Sequence, residues 1–152
     1  MPLLLQNRQK KIKVDLRKVR AAAIRVLKRL NLQEKELSLT LVDDIEITVI
    51  NREYLGRDRA TNVISFGMGE EKWGDIHPEI LGDIVISVET AGKDALIGDI
   101  PLHDEILFLF IHGLLHLLGY DHEKGSREDA EIMKAKEREI FCSITHYDID
   151  HD

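Results

Sequence analysis

Hydrophobic and polar positions alternate with two distinct periods along this chain, and the switches between them mark out its elements. Residues 36–42 set Leu37, Leu39 and Leu41 against Ser38 and Thr40, a period of two that predicts a strand with one buried face. Residues 62–66 and 81–87 are short runs rich in β-branched residues and predict two further strands, with 3–6 a candidate fourth. Elsewhere the period lengthens. Leu16, Val19, Ala23, Val26, Leu27 and Leu30 follow Asp15 at helical spacing, which predicts an N-capped amphipathic helix ending near Asn31. Residues 88–96 predict a short helix stopped near Gly98. Pro101 then opens a longer helix through Leu118 that is apolar on most of its circumference and therefore central to the core. Ser126 followed by Asp129 has the spacing of a capping box and predicts a last helix to about Cys142. The acidic tail from His146 to Asp152 is expected to fray. Residues 67–78 are rich in turn formers and predict a loop. Residues 45–55 fit either state, since their β-branching favours a strand while Asp44 before Ile45, Val49 and Ile50 fits a capped helix. Three or four strands with four or five helices predict an α+β fold in layers.

Composition adds boundaries to this pattern. The 152 residues suit one domain, and 43% hydrophobic with 32% charged residues is the balance of an ordered chain. A single cysteine, Cys142, excludes an internal disulfide and a multi-cysteine zinc site, and it reads as a small core residue in a reducing cytosol. The longest apolar stretch, 106–118, is interrupted by His112 and His116 and falls short of the ~20 residues a bilayer demands. The first seven residues lack the basic leader of a secretory signal, so a cytoplasmic protein without a membrane partner is expected. Net charge is −7, which opposes indiscriminate attraction to polyphosphate. Yet between Arg8 and Leu30 ten basic residues face one acid, Asp15. A solvated helix face explains such a run by itself; a nucleic-acid role needs a second signal.

The chemistry concentrates in the segment from His112 to His122. At about 100° per residue, His112 and His116 differ by about 40° round a helix and about 6 Å along it, so their imidazoles converge. Gly119 lets the chain leave the helix through a left-handed turn and brings His122 back toward the same point. Three neutral imidazoles make three corners of a tetrahedron and leave the fourth to water or substrate, which is a catalytic arrangement. Burying two unpartnered imidazoles on an apolar helix would otherwise be costly. His103 points elsewhere, about 180° from His112; His77 falls in a loop, and His146 and His151 in the tail. The spacing is that of the metzincin proteases, but Gly113 stands where they carry the glutamate general base. Glu105, about 10 Å up the helix, is too far to replace it. Peptide hydrolysis is therefore not expected, whereas a metal that lowers the pKa of water to about 7 suits a better leaving group, such as that of a phosphodiester.

These residues resemble a known family, the YbeY endoribonucleases, bacterial metal-dependent proteins of ribosomal RNA maturation. His112 through His122 is similar to that family's H-G-x-L-H-L-x-G-Y-D-H. The block from Tyr54 to Phe66 resembles its Y-R-G-x-D-x-P-T-D/N-V-L-S-F, and that from Leu81 to Ser87 resembles its L-G-D-I-V-I-S. The resemblance implies a small mixed sheet of about four strands with helices packed on it, 45–55 helical, and a zincin-like site on the central helix with His112, His116 and His122 holding one zinc ion. It also implies single-stranded ribosomal RNA as substrate and the small ribosomal subunit or its assembly factors as partners. Two departures stand out: Leu55 replaces the family's arginine before the glycine, and Ala60 replaces its proline. Arg57 and Arg59 in the same turn are the candidates to supply the phosphate contact instead.

The expected function is thus a metal-dependent endoribonuclease specific for single strands, with roles in ribosomal RNA maturation and ribosome quality control. Asp83 and Asp121 are candidates to orient an imidazole, and Tyr120 and Trp73 to stack bases. The rivals are a metal-dependent hydrolase of another substrate and a non-catalytic ribosome-assembly module in which the metal only clamps the His122 turn.

Overall fold

A computed structural model describes residues 3–67, 79–120 and 126–149. In chain order these form β1 (Leu3–Asn7), α1 (Leu16–Arg29), β2 (Glu36–Val42), α2 (Asp44–Leu55), β3 (Val63–Gly67), β4 (Ile80–Ser87), α3 (Val88–Gly98), α4 (Leu102–Leu117) and α5 (Arg127–Thr145). The strands make one mixed sheet in the order β1-β2-β4-β3, in which β1, β2 and β4 are parallel and β3 runs antiparallel to β4. The α+β class and the small mixed sheet are as expected. The ambiguous stretch is helical because its ends are capped. Asp43 accepts from the Glu46 N–H at 2.9 Å, and Gly56 closes the last turn in the left-handed region at φ 69°. Apart from Gly67, which ends β3, the loop predicted over 67–78 lies outside the described residues.

Side-chain alternation gives the sheet two different faces. Leu37, Leu39, Leu41, Ile84 and Ile86 enter the main core, while Val42, Ile64 and Val85 meet Ile47 of α2 on the other side. The main core is organised by α4, which packs against α1, α3, α5, β3 and β4. An unbroken run, 105–111, is buried, so the helix shows no single apolar stripe. Phe108 meets Phe141 of α5 edge to face with ring centroids 6.0 Å apart. Among the described residues no single helix is long and apolar enough to cross a membrane.

The tail does not fray as expected, at least through residue 149. His146 ends α5 in the left-handed region at φ 70° and turns the chain back, so that Ile149 is buried in the main core. Two polar side chains of the turn also find partners. Arg138 grips Asp148 through two bonds of 2.6 and 3.2 Å, and the Tyr147 hydroxyl donates to Asp104 at 2.7 Å. The acidic sequence signal missed this because Asp148 is matched by Arg138 and Tyr147 by Asp104, and neither partner belongs to the tail.

Asp44 joins the starts of α2 and α3. Its Oδ1 accepts from the Ser87 and Thr90 hydroxyls, each at 2.6 Å, and Lys93 Nζ lies 3.5 Å from Oδ2. Burial pushes the Asp44 carboxyl up, but the Ser87 and Thr90 hydroxyls and the Lys93 charge outweigh it and hold the group below its ordinary value. A carboxyl depressed by folding adds stability that is complete above its unfolded pKa, about 3.9, and is lost as pH falls through the lower folded value. Asp44→Ala should lower stability by about 1–3 kcal/mol at neutral pH, measured by urea unfolding. The gap from wild type should narrow as the pH falls below the unfolded value of about 3.9 and through the lower folded one. A neutral-pH stability equal to wild type would show that this junction carries none.

Candidate active site

His112 and His116 lie one turn apart on α4, and their Nε2 atoms face each other at 3.2 Å with ring centroids 4.7 Å apart. Two nitrogens each about 2.0–2.1 Å from one zinc ion at the tetrahedral angle are separated by about 3.3 Å. The pair therefore has the spacing of two ligands of one ion. His122, the third expected ligand, lies outside the described residues, as do Asp121, Trp73, His77 and His151. Among the described residues no group of three or more His, Cys, Asp or Glu is placed to hold a metal.

The ring of His112 is held from behind by a residue that sequence reasoning missed. Its Nδ1 makes a very short contact with Oε2 of Glu137 on α5, a carboxylate only 6% exposed. An ionised carboxylate only accepts hydrogen bonds, so Nδ1 supplies the proton and the Nε2 lone pair is turned toward His116. A carboxylate behind an imidazole is the usual partner that orients a metal-binding histidine. The signal was present. Met133, Ile140, Phe141 and Ile144 form the buried stripe of α5, and Glu137 stands in that stripe at helical spacing, where a lone acid needs a partner. The two acids named from sequence are not the partner seen here. Asp83 is exposed on the sheet face opposite Ile84 and Ile86, because successive residues of a strand point to opposite sides, and Asp121 is not described.

Gly113 faces the sheet. A Cβ at this position would stand 2.9 Å from Ser65 Oγ and 3.0 Å from Ile84 Cγ2, and the Ser65 hydroxyl donates to the Gly113 carbonyl at 3.0 Å. The place where metzincins carry their general base is here a point of close helix–sheet contact, where even a Cβ would require Ser65 or Ile84 to shift. Glu105 is fully buried farther up α4.

Both histidines line a cleft of about 540 Å³ whose walls include Arg57, Arg59, Ser65, Phe108, Lys134 and Glu137. Arg57 and Arg59 are exposed in the turn after α2, and buried Asn51 shapes that turn. Its side-chain amide donates to the Arg59 carbonyl at 2.9 Å, and its own carbonyl accepts from the Arg57 N–H at 3.2 Å. Leu55 also lines the cleft, so the apolar side chain at the family's arginine position sits beside the two arginines. Lys134 of α5 adds a cation that sequence reasoning did not select. The remaining candidates lie elsewhere. His103 Nε2 accepts from the Asp15 N–H at 3.0 Å and ties α4 to the start of α1, His146 caps α5, and Tyr120 packs on the main core. Gly119 does adopt a left-handed conformation, at φ 101°.

The surrounding fold and the sequence both have known counterparts. A protein of Thermotoga maritima with a solution structure superposes with a TM-score of 0.59 over 93% of this chain and 90% of its own, at 24% identity, which is a likeness of fold. A family model described as Endoribonuclease YbeY matches residues 4–145. Proteins of that name are similar in sequence. The one from Syntrophus aciditrophicus is 49% identical over 99% of this chain and 94% of its own length. That from Syntrophotalea carbinolica is 50% identical over 92% and 93%, and that from Geobacter sulfurreducens 45% over 95% and 96%. With a match that spans all but a few residues at either end, and the two cleft histidines within it, the chain belongs to the YbeY endoribonuclease family.

Proposed function

We propose that this chain is a single metal-dependent hydrolase domain, a cytoplasmic endoribonuclease that cuts single-stranded ribosomal RNA during maturation and quality control of ribosomes. The observation that carries the reading is the juxtaposition of His112 and His116 in one cleft with Arg57 and Arg59. His112, His116 and His122 would hold one zinc ion, with a fourth position left to water or substrate. When bound there, zinc would supply Lewis-acid polarisation of water and of a phosphoryl oxygen. The rest falls to the chain. Glu137 fixes the tautomer and direction of His112. Arg57 and Arg59 hold the flanking phosphates and offset charge that builds on the reacting one. Phe108 gives the cleft an apolar wall. A cleft open to solvent and lined by exposed arginines favours an unpaired strand, whose backbone can bend into it.

Elemental analysis of the purified protein should find one zinc per chain, and His116→Ala should lose both the metal and RNA cleavage while keeping the wild-type circular dichroism spectrum. Cleavage undiminished in that variant, or after exhaustive chelation, would refute the reading. Binding of RNA fragments without cleavage at any metal load would favour an assembly module. Arg57→Ala and Arg59→Ala should each lower kcat/KM about tenfold with zinc content unchanged; wild-type values in both would remove the arginines from the site. Glu137→Gln should weaken zinc affinity by about 10- to 100-fold in competition with a fluorescent chelator. Unaltered affinity would assign that contact to packing alone.

A further inference from the structure

Helix stability accounts for only part of the distribution of cations on α1. Of the ten basic residues between Arg8 and Leu30, some have partners. Arg8 meets Glu46 at 2.7 Å, Lys11 meets Glu89 and Arg29 meets Glu139, each at 3.4 Å, and Arg20 donates to the Leu3 carbonyl at 3.3 Å. Among the described residues the side chains of Arg17, Lys18, Arg25 and Lys28 have no such partner, and all four are exposed. At about 100° and 1.5 Å per residue they fall within one sector of about 100° that runs about 16 Å along the helix. That sector lies opposite buried Val19, Ala23 and Val26. Arg17 and Lys18 occupy the first turn, which contains no acid, where the helix dipole disfavours positive charge. Arg25 and Lys28, three apart, repel each other. Arg17 and Lys18 thus sit against local stability, while Lys28 stands in the last turn where the dipole favours it, and all four cations lie on a chain whose net charge is −7.

Its position separates it from the cleft. The helices α1 and α4 are in contact, and Val19, Ala22 and Ala23 of α1 line a small cavity together with His103, Ile106, Leu107 and Phe110 of α4; His103 and Phe110 stand about 180° and 160° round α4 from His112. The strip and the paired imidazoles therefore flank α4 on opposite sides. One short strand lying in the cleft leaves the strip free.

We propose that the solvent face of α1 is a second RNA-binding surface, which grips the phosphate backbone of a folded region of the same RNA whose unpaired strand enters the cleft. This inference rests on the endoribonuclease reading, and the test keeps the two apart. Two probes are needed: a single-stranded oligonucleotide of about six nucleotides, and a folded RNA of about 100 nucleotides that carries the same strand. In the fourfold variant Arg17→Gln, Lys18→Gln, Arg25→Gln, Lys28→Gln, cleavage of the short probe should stay within about twofold of wild type, since none of the four lines the cleft. Affinity for the folded RNA should fall at least about tenfold at low salt. The slope of log K against log salt should flatten by about three, at roughly 0.7–0.9 for each phosphate no longer neutralised. The melting temperature should change little, because the first turn sheds two disfavoured charges while the last turn loses one favoured charge, Lys28. Equal affinity and slope for the folded RNA in variant and wild type would overturn the second surface. Cleavage of neither probe by the wild-type protein would overturn the endoribonuclease reading instead, while the binding comparison would still judge the strip.

Discussion

The close seat of α4 on the sheet at Gly113 is the constraint from which the rest follows. With the glycine turned to Ser65 and Ile84, the rotation of α4 about its axis is set. His112 and His116 must then project about 60–100° to one side of the sheet-facing line, and Leu107 and Phe110 about 60–120° to the other. The first flank opens into the cleft beside β3 and α5. The second is covered by α1. A larger side chain at Gly113 would lift or rotate the helix and move both imidazoles at once, so the same atom-scale contact determines core packing and the geometry of the site.

That seat also explains why the chemistry differs from that of a peptidase with the same histidine spacing. Gly113, which follows the first histidine, is committed to packing, and Glu137, a buried carboxylate in contact with His112, lies behind that ring. There it orients an imidazole. Charge at the front of the cleft is supplied by arginines on a turn shaped by Asn51. Cations facing a phosphodiester, with no carboxylate general base among the described residues that line the cleft except Glu137, suit a reaction in which offsetting negative charge matters more than protonating a poor leaving group.

Most of the fold was legible because its signals are local. Period-two leucines marked β2, the Ser126 capping box marked α5, and Gly98 and Gly119 marked the ends of α3 and α4. The histidine pair was legible for the same reason, since i, i+4 spacing on a helix is itself a distance. What sequence could not supply is contact between elements. Glu137 lies 25 residues from His112, and only the packing of α5 on α4 makes them neighbours. The anchoring of 146–149 was likewise invisible, because Arg138 and Asp104 are its partners and neither adjoins it. Arg57 and Arg59 were chosen from a turn motif, but the amide that holds the turn, Asn51, sits in an ambiguous β-branched stretch where nothing local flagged it.

The central claim is that imidazoles from this helix and the turn beyond it converge on one metal ion whose remaining position is not filled by the protein. X-ray absorption at the zinc edge of the purified protein tests it most directly. The account predicts multiple scattering from three imidazole rings and a remaining light-atom ligand that is displaced when inorganic phosphate is added. A spectrum with fewer than three imidazoles, or with a carboxylate of the chain closing the shell and indifferent to phosphate, would contradict it.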